Sequence, residues 1–219
     1  MALVGPDAAT LRQMSYPPSY PQPPWRMQGQ MWLTLFHSGS GGPDRPPGVY
    51  GVGLVDYQEG SPLTYGELLV ARRITIPAPD PTAGKHVTVT DIWVDSEPSR
   101  QGGRELWGVP KEIAEFAWTR VGSTGMPATS AVVMAADGAE IARASYSSPR
   151  LLPPRVGFSG STWQTKDDGT PVAAELTGSG RSFPVRGSWE FAPDGPLAWL
   201  SDARRLASVA MHDFRMVFG

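Results

Sequence analysis

Glycine and proline interrupt this chain along its whole length, and this feature limits its possible folds more than any other. The sequence contains 25 Gly and 23 Pro among 219 residues, scattered rather than confined to one tract. Both residues are unfavourable inside a long helix and common in turns. The distribution therefore predicts many turns between short strands, and a β-rich fold rather than a helical one. A chain of this length forms one domain by default.

The densest proline cluster lies near the N-terminus. Residues 16–24 read YPPSYPQPP, with five prolines in nine positions, which excludes both a helix and a central strand. We predict an extended arm over residues 1–24 that packs on its own domain or on a neighbouring subunit, followed by a single domain over residues 25–219. The alternative for the cluster is a ligand for an SH3-type domain.

Composition excludes several classes of function. The 19 basic and 21 acidic residues give a net charge of −2 and form no long run of one sign, so the chain has no footprint for nucleic acid or anionic membranes. The absence of cysteine excludes disulfides, thiolate catalysis and thiolate metal sites. The N-terminal residues lack the basic start and apolar stretch of a signal peptide, and no stretch of about 18 apolar residues occurs. These features predict a cytoplasmic protein.

The common cofactor and catalytic motifs are also missing. His37, His86 and His212 are isolated in the sequence, so a zinc site would need distant ligands. The Gly-rich segment 38–48 and the Gly-Lys pair at 84–85 lack the spacing of nucleotide-binding loops. Gly-x-Ser-x-Gly occurs nowhere. We therefore expect neither a metal nor a bound cofactor.

Several segments have the composition and alternation of strands. The predicted strands are residues 31–36, 49–56, 66–76, 87–94, 171–176 and 186–191. Residues 128–146 indicate a hairpin that turns at Asp137-Gly138, a pair suited to a tight turn. The best helix candidates are residues 111–116 and 201–209, the second beginning with a serine suited to an N-cap.

Lysine is scarce, which makes each one easy to assess. The three lysines are Lys85, Lys111 and Lys166, and only Lys111 follows an apolar lead-in, Leu-Trp-Gly-Val-Pro. A lysine with its usual pKa of about 10.4 is almost wholly an ammonium at neutral pH, and only the neutral amine attacks a carbonyl. A reactive Lys111 therefore requires surroundings that lower its pKa, such as desolvation or a nearby cation. The alternative is a surface lysine that opens a helix and lies over Trp107.

The residues around Lys111 carry a more specific signal. Gly103–Leu106 followed by Gly108–Lys111 resembles the signature of the acetoacetate decarboxylase family, in which a Gly-Arg-Glu segment precedes Pro-Lys and that lysine forms a Schiff base. Other segments match the family in order and approximate spacing over residues 20–219. These segments are Tyr65–Val70, Asp95–Pro98, Gly187–Phe191, Pro196-Leu197 and Asp213-Phe214.

The resemblance implies both a fold and an activity. The expected fold is mainly β, a curved antiparallel sheet or barrel-like cone that encloses an apolar pocket, with a few short helices. The expected activity is that of a Schiff-base lyase, in which Lys111 attacks a small keto acid and decarboxylation is the leading reaction. Homo-oligomers are also expected. Aldolase-dehydratases and cyclases of the same superfamily are alternatives, as is a non-catalytic protein that binds a hydrophobic ligand.

The resemblance also assigns roles to individual side chains. Glu67 corresponds to the family's active-site carboxylate, which orients substrate or moves a proton. Its alternative is an exposed strand residue facing Arg72 or Arg73. Arg104 and Glu105 are expected to support the turn that presents the reactive lysine. The expected pocket-wall or core residues are Tyr65, Trp93 and Trp107.

Two positions depart from the family pattern. Glu112 stands where the decarboxylase proper has a second lysine, and a carboxylate close to Lys111 would raise its pKa. The side chains of adjacent residues on a strand point to opposite faces, which limits this effect. Desolvation would still have to account for most of the lowering of the Lys111 pKa. The family's arginine for the substrate carboxylate also lacks a clean counterpart, because Arg26 matches only with a shift of several residues. The sequence thus leaves open which group holds the carboxylate.

Overall fold

The structure, a computed structural model, describes residues 19–39, 42, 45–75, 86–121, 128–147 and 153–219. These residues form strands, one α-helix and one 3₁₀ turn. In chain order the elements are β1 (Trp25–Ser38), β2 (Gly48–Tyr57), β3 (Tyr65–Ile74), β4 (His86–Val94), α1 (Glu97–Trp107), β5 (Lys111–Val121), β6 (Ala128–Ala135), β7 (Glu140–Ser147), β8 (Arg155–Thr165), β9 (Pro171–Pro184), β10 (Arg186–Phe191), the 3₁₀ turn (Ala198–Leu200) and β11 (Arg204–Phe218).

Seven strands close into a barrel. They follow one another in the order β4, β3, β2, β1, β11, β9 and β8, and β8 pairs back with β4. The pairing of β4 with β8 is parallel and the others in the barrel are antiparallel. Closure gives each of these strands a partner on both sides over part of its length. The expected β-rich, barrel-like fold is therefore confirmed.

The sheet branches at β4. Residues 86–87 pair with β8, whereas residues 92–94 pair in parallel with β5. From β5 the sheet continues through β6 and β7 to β10. Side chains of this four-stranded extension share one hydrophobic cluster with side chains of β1 to β4. The extension therefore covers one part of the barrel's outer surface.

The barrel strands use both of their faces for apolar packing. In β1, Trp25 and Met27 belong to a cluster inside the barrel, whereas Trp32 and Phe36 belong to the cluster beneath the extension. Successive side chains of a strand point to opposite faces, so one sequence supplies both clusters. We call the two clusters the inner core and the outer core.

The strand predictions are confirmed, including the hairpin of β6 and β7 with its turn at Asp137-Gly138, except that the strand predicted over residues 66–76 ends at Ile74 and residue 76 lies outside the described residues. Both helix predictions are wrong. Residues 111–116 begin β5, and residues 201–209 form a turn and the start of β11. Pairing with neighbouring strands decides both segments, because tertiary contacts override weak local helix propensity. The helix is Glu97–Trp107, a segment that was not among the predicted helices.

Two terminal signals define α1. At its start the Ser96 hydroxyl accepts a hydrogen bond from the backbone N–H of Ser99, as an N-cap does. At its end Gly108 has φ 64°, a left-handed conformation that favours glycine. The backbone N–H groups of Gly108 and Val109 donate to carbonyls of the last turn. The chain leaves the helix sharply, and β5 begins at Lys111.

The predicted N-terminal arm is described only at its end. Residues 1–18 lie outside the described residues, and residues 19–24 are described. Tyr20 is buried and its hydroxyl donates to Glu105 Oε2 at 2.6 Å, while Trp25 Nε1 donates to the carbonyl of Pro21 at 2.8 Å. The end of the arm thus packs on the domain. The division into arm and domain, and the homo-oligomer, stay predictions.

Two kinds of feature are absent from the described residues. In that part of the chain, no helix is long and apolar enough to cross a membrane. Within the same residues, no group of three or more His, Cys, Asp or Glu side chains could hold a metal ion.

Candidate active site

Lys111 is buried inside the barrel. It is the first residue of β5, pairs with Ile92 of β4 and is 6% exposed. Its Nζ lies 2.9 Å from Glu67 Oε2, 2.9 Å from Ser99 Oγ and 3.3 Å from the Tyr65 hydroxyl. The alternative of a surface lysine is therefore wrong, and side chains from β3 and α1 contact this amine of β5.

Glu67 is the anionic partner of this lysine. It lies on β3, is 4% exposed, and accepts hydrogen bonds from Lys111 Nζ at Oε2 and from the Tyr57 hydroxyl at Oε1, the latter at 3.2 Å. The alternative in which it faces Arg72 or Arg73 from the surface does not hold. Both of its oxygens are used inside the barrel, which fixes the carboxylate next to the amine.

Two tyrosines form one wall beside the ion pair. The rings of Tyr57 and Tyr65 lie 4.5 Å apart between centroids, and Lys111 Nζ lies 5.0 Å from the Tyr65 ring centroid, a cation–π distance. Burial raises the pKa of Tyr65 to about 12, against the opposing attraction of Lys111. Burial and the charge of Glu67 raise the pKa of Tyr57 well above its usual value. Both hydroxyls therefore stay protonated at neutral pH.

Opposing effects act on the pKa of Lys111. Burial lowers it, because the ammonium loses water. The charge of Glu67, then that of Tyr65 and the hydrogen bonds to both, raise it and together outweigh burial, so the pKa lies above its ordinary value. This corrects the expectation that desolvation leaves the lysine with a lowered pKa. The resting site is an ammonium paired with a carboxylate.

Glu112 does not perturb the lysine as its position in the sequence suggested. Its side chain is 60% exposed and accepts from Arg104 Nη1 at 2.8 Å. The same Nη1 donates to the carbonyl of Lys111 at 3.1 Å, so Arg104 contacts the residue that it is expected to support. Glu105 lies elsewhere: it is exposed and accepts from Tyr20, so it holds the arm rather than the turn.

Helix α1 presents a face of small residues to the lysine side chain. A Cβ atom added at Gly103 would lie 2.7 Å from Lys111 Cδ and 2.9 Å from Cε, closer than such atoms approach. Ser99, four residues earlier on the same face of the helix, is fully buried and supplies one of the three hydrogen-bond partners of the amine. The Gly in the sequence motif therefore makes room for the lysine.

The ion pair borders a cavity of about 410 Å³ inside the barrel, a volume typical of small-molecule sites. Trp107 lines it and packs edge-on against Trp25 and Phe218, with ring centroids 4.8 and 4.6 Å away. Among the described lining residues, Glu67 and Lys111 are the only charged ones. Most others are apolar, so the charged pair faces an apolar chamber.

Comparison with known proteins assigns the chain to a family. The family model for acetoacetate decarboxylase matches residues 43–190, about two thirds of the sequence. The chain belongs to the acetoacetate decarboxylase family. No curated protein sequence matches it.

Solved structures share the fold at low identity. Acetoacetate decarboxylase from Legionella pneumophila is 15% identical with a TM-score of 0.57, over 99% of this chain and 95% of that one. An acetoacetate decarboxylase-like enzyme from Sphingomonas wittichii RW1 is 16% identical with a TM-score of 0.59, over 89% of each chain. The enduracididine biosynthesis enzyme MppR, complexed with the condensation product of pyruvate and imidazole 4-carboxaldehyde, is 15% identical with a TM-score of 0.59, over 90% of this chain and 87% of that one.

This member of the acetoacetate decarboxylase family places no described arginine in its cavity lining. Arg26 is exposed because it lies between Trp25 and Met27, whose side chains point inward from the same strand. The candidate for holding the substrate's carboxylate therefore does not reach the chamber. A carboxylate bound there would have Lys111 as its only cation among the described lining residues.

Two site residues escaped the sequence analysis of this family member. Ser99 and Tyr57 both contact the ion pair but belong to no motif that was assigned a role. Ser99 lies four residues before Gly103 and directly after the Asp95–Pro98 segment. A helix prediction for these residues would have placed Ser99 and Gly103 on the same face. Tyr57 could have been found only from the pairing of β2 with β3, where it lies opposite Tyr65.

Proposed function

We propose that this protein is a Schiff-base-forming lyase in which Lys111 attacks the ketone of a keto acid and releases carbon dioxide. One observation carries the proposal: a buried lysine is hydrogen-bonded to a buried carboxylate at the wall of an apolar cavity. Membership of the acetoacetate decarboxylase family supports enzymatic activity of this general kind.

Glu67 is the base that makes the amine reactive. The ammonium form cannot attack a carbonyl, and the raised pKa of Lys111 keeps the resting amine protonated. Substrate entry expels water and leaves the pair in apolar surroundings, where two charges are costly. Transfer of one proton over the 2.9 Å from Nζ to Oε2 gives a neutral amine and a neutral acid. This distance lies within hydrogen-bond reach for a general base.

The chemical steps balance with these groups. The lone pair of Nζ forms a bond to the ketone carbon. One proton passes from the nitrogen to the oxygen and Glu67 returns its own proton to the same oxygen, which leaves as water. The protonated imine accepts the electron pair of the carbon–carbon bond as carbon dioxide departs. The enamine takes a proton at carbon, and hydrolysis frees the ketone and Lys111. Each turnover takes up one proton from water, because a carboxylate is lost as a neutral gas.

The polarity of the chamber favours loss of the carboxylate. Among the described lining residues no second cation faces the chamber, and a buried carboxylate without a full partner is unstable relative to water. Conversion to carbon dioxide removes that charge, so the chamber destabilises the substrate more than the departing product. The chamber therefore favours decarboxylation over reactions that retain the acid.

Aldol condensation with dehydration is the second candidate. The MppR complex holds a condensation product of pyruvate and an aldehyde, which is a property of that protein. An enamine on Lys111 can attack an aldehyde carbon instead of taking a proton, so the same residues serve both reactions. Release of carbon dioxide, as against consumption of an added aldehyde, separates the two.

Borohydride trapping tests the lysine chemistry. The protein is incubated with acetoacetate, pyruvate or a longer 3-oxo acid, reduced, and its intact mass is measured with peptide mapping. We expect a reduced adduct on Lys111 in the native protein and in Lys166→Ala, which removes a lysine outside the cavity lining, and none on that peptide in Lys111→Ala. An adduct at another amine only, or no adduct with any of these acids, would refute the proposal and favour a non-catalytic pocket protein.

A further inference from the structure

We infer that the substrate carries an extended apolar body: a medium-chain 3-oxo acid, recognised by its hydrocarbon part, fits this cavity better than acetoacetate or pyruvate. The reaction assigned to this substrate rests on the proposed function. The preference for an apolar chain rests on the dimensions, polarity and composition of the chamber, which do not depend on whether an imine forms.

The volume of the chamber exceeds the need of a small acid. A water molecule occupies about 30 Å³ of the liquid, so a cavity of about 410 Å³ has room for on the order of a dozen such groups. Acetoacetate or pyruvate would fill only part of it. The remainder would be left empty or hydrated against apolar walls, and both are unfavourable.

The chamber is elongated along the strands. On β4 its lining runs from Ile92, which pairs with Lys111, to Val87, which pairs with Thr162 of β8. Five residues of strand span roughly 16 Å at about 3.3 Å per residue. Lys111 therefore stands near one end of a long chamber, and a substrate bound to it has a length of apolar wall to follow.

The polar groups are concentrated beside Lys111. Tyr57, Tyr65 and Glu67 lie within hydrogen-bond contact of one another or of the lysine. Along β3, the next inward residues after Glu67 are Leu69 and Ala71. The reacting carbonyl thus has polar partners at one end, and apart from the Thr162 side chain the rest of the molecule meets hydrocarbon and thioether surface.

Methionine makes up an unusual share of that surface. Four of the chain's eight methionines line the cavity. Methionine side chains are flexible and polarisable, so they adapt to ligands of different shape. The four are Met27, Met31, Met211 and Met216. A wall of this kind suits a flexible alkyl chain and tolerates more than one chain length.

The absence of a second cation from the described lining also favours a substrate with an apolar body. Since the described lining offers the substrate's carboxylate no arginine, the carboxylate contributes little to binding, and apolar contacts must supply the affinity. Burial of each added CH2 group is worth roughly a fourfold gain in affinity while space remains. Contacts with the alkyl chain, away from the reacting carbonyl, should raise kcat/KM for the keto acid and lower Kd for its neutral ketone product.

Two matched series test the inference on the full-length protein. Carbon dioxide release is measured for acetoacetate, 3-oxohexanoate and 3-oxooctanoate, and calorimetric binding is measured for acetone, 2-pentanone and 2-heptanone. We expect kcat/KM and ketone affinity to rise with length, by roughly fourfold per CH2 group. A flat series, or acetoacetate as the best acid, would overturn the inference. If no acid reacts, the proposed function fails, and the ketone series alone decides the inference.

A cavity-filling variant sharpens the result. Ala71 lies four residues beyond Glu67 on the same strand and lines the chamber. We expect Ala71→Phe to reduce the ratio of kcat/KM for 3-oxooctanoate to that for acetoacetate by roughly tenfold or more, whereas Ala71→Ser retains the order of the native protein. Because the readout is a ratio within one variant, partial loss of folded protein cancels. An unchanged ratio in Ala71→Phe would mean that the alkyl chain of the substrate does not lie against residue 71, and it would contradict the inference.

Discussion

The inner and outer cores share the same strands and are both apolar, yet the inner core encloses a chamber, whereas the outer core borders a surface cleft at Phe36, Trp189 and Phe191. In the outer core, Trp32, Leu54 and Leu68 are at most 1% exposed and pack against the four-stranded extension. In the inner core, side chains of the opposite face surround about 410 Å³ of open volume. Apolar alternation therefore indicates that both faces are covered, but not which face retains space for a ligand.

The difference has a geometric cause. On the outer face a second layer of sheet lies against the barrel, and side chains of two layers can interdigitate to the density of a protein interior. On the inner face the curvature of a small closed barrel sets the distance between opposite walls. Side chains reach inward only as far as their own length, so a chamber remains where they do not meet.

Buried polar groups also differ between the two cores. In the outer core Thr34, Tyr146 and Trp189 bond to one another, with Trp189 Nε1 donating to the Tyr146 hydroxyl at 2.8 Å. Thr34 and Tyr146 are fully buried between the barrel and the extension, and Trp189 is half-buried beside them. The polar groups of the inner core bond to one another and also border open volume. Burial and hydrogen bonding alone therefore do not mark a reactive site, whereas adjacency to a chamber does.

Adjacent leucines on β3 provide the most direct test of this contrast. Leu68 is fully buried in the outer core, and Leu69 lines the chamber. We expect Leu68→Ala to reduce the free energy of unfolding by about 3 kcal/mol, through lost contacts and a new cavity. We expect Leu69→Ala to cost on the order of 1 kcal/mol, since part of its surface has no neighbours to lose. Urea denaturation measures both, and equal losses would mean that the inner core is as tightly packed as the outer.

A smaller effect is expected where α1 meets the chamber. Gly103→Ala places a methyl group within 3 Å of the Lys111 side chain, so the amine must move away from Glu67. Displacements of about 1 Å in a reacting group lower rates by roughly a hundredfold. We expect a loss of this size in the rate of borohydride-trapped imine formation. The control is Gly157→Ala, where the added methyl meets only a carbonyl oxygen at 3.8 Å; similar losses in both variants would contradict the packing argument.

The smallest expected change is a shift in pH dependence. Below the raised pKa of Lys111 the neutral amine becomes more abundant as pH rises, so imine formation in the native protein should accelerate with pH beyond pH 10. Glu67→Gln removes the charge that raises the pKa of Lys111, so burial dominates and the pKa falls. The rate of imine formation should then reach its plateau at lower pH. Cyanoborohydride trapping across a pH series measures the midpoint. Glu112→Gln, which alters the exposed partner of Arg104, should keep the native midpoint; a shift there instead would identify the wrong carboxylate.

Local pattern predicted much of the fold. The strands, the hairpin turn and the lysine after Pro110 are all features of short segments whose preferences act over a few residues. The prediction failed where local and tertiary preferences disagree. Residues 111–116 have a sequence that a helix accepts, but β4 and β6 offer hydrogen-bond partners on both sides, so the segment is a strand.

The sequence by itself determined the family, the β-rich fold and the identity of the candidate lysine, because these follow from composition and from residues close together in the chain. The tertiary structure decided the direction of the Lys111 pKa, which depends on Glu67, 44 residues away, and not on the adjacent Glu112. It also decided that Arg26 stays outside and that the inner face retains a chamber. Charge interactions and packing act through space, and the distances that control them exist only after the barrel closes.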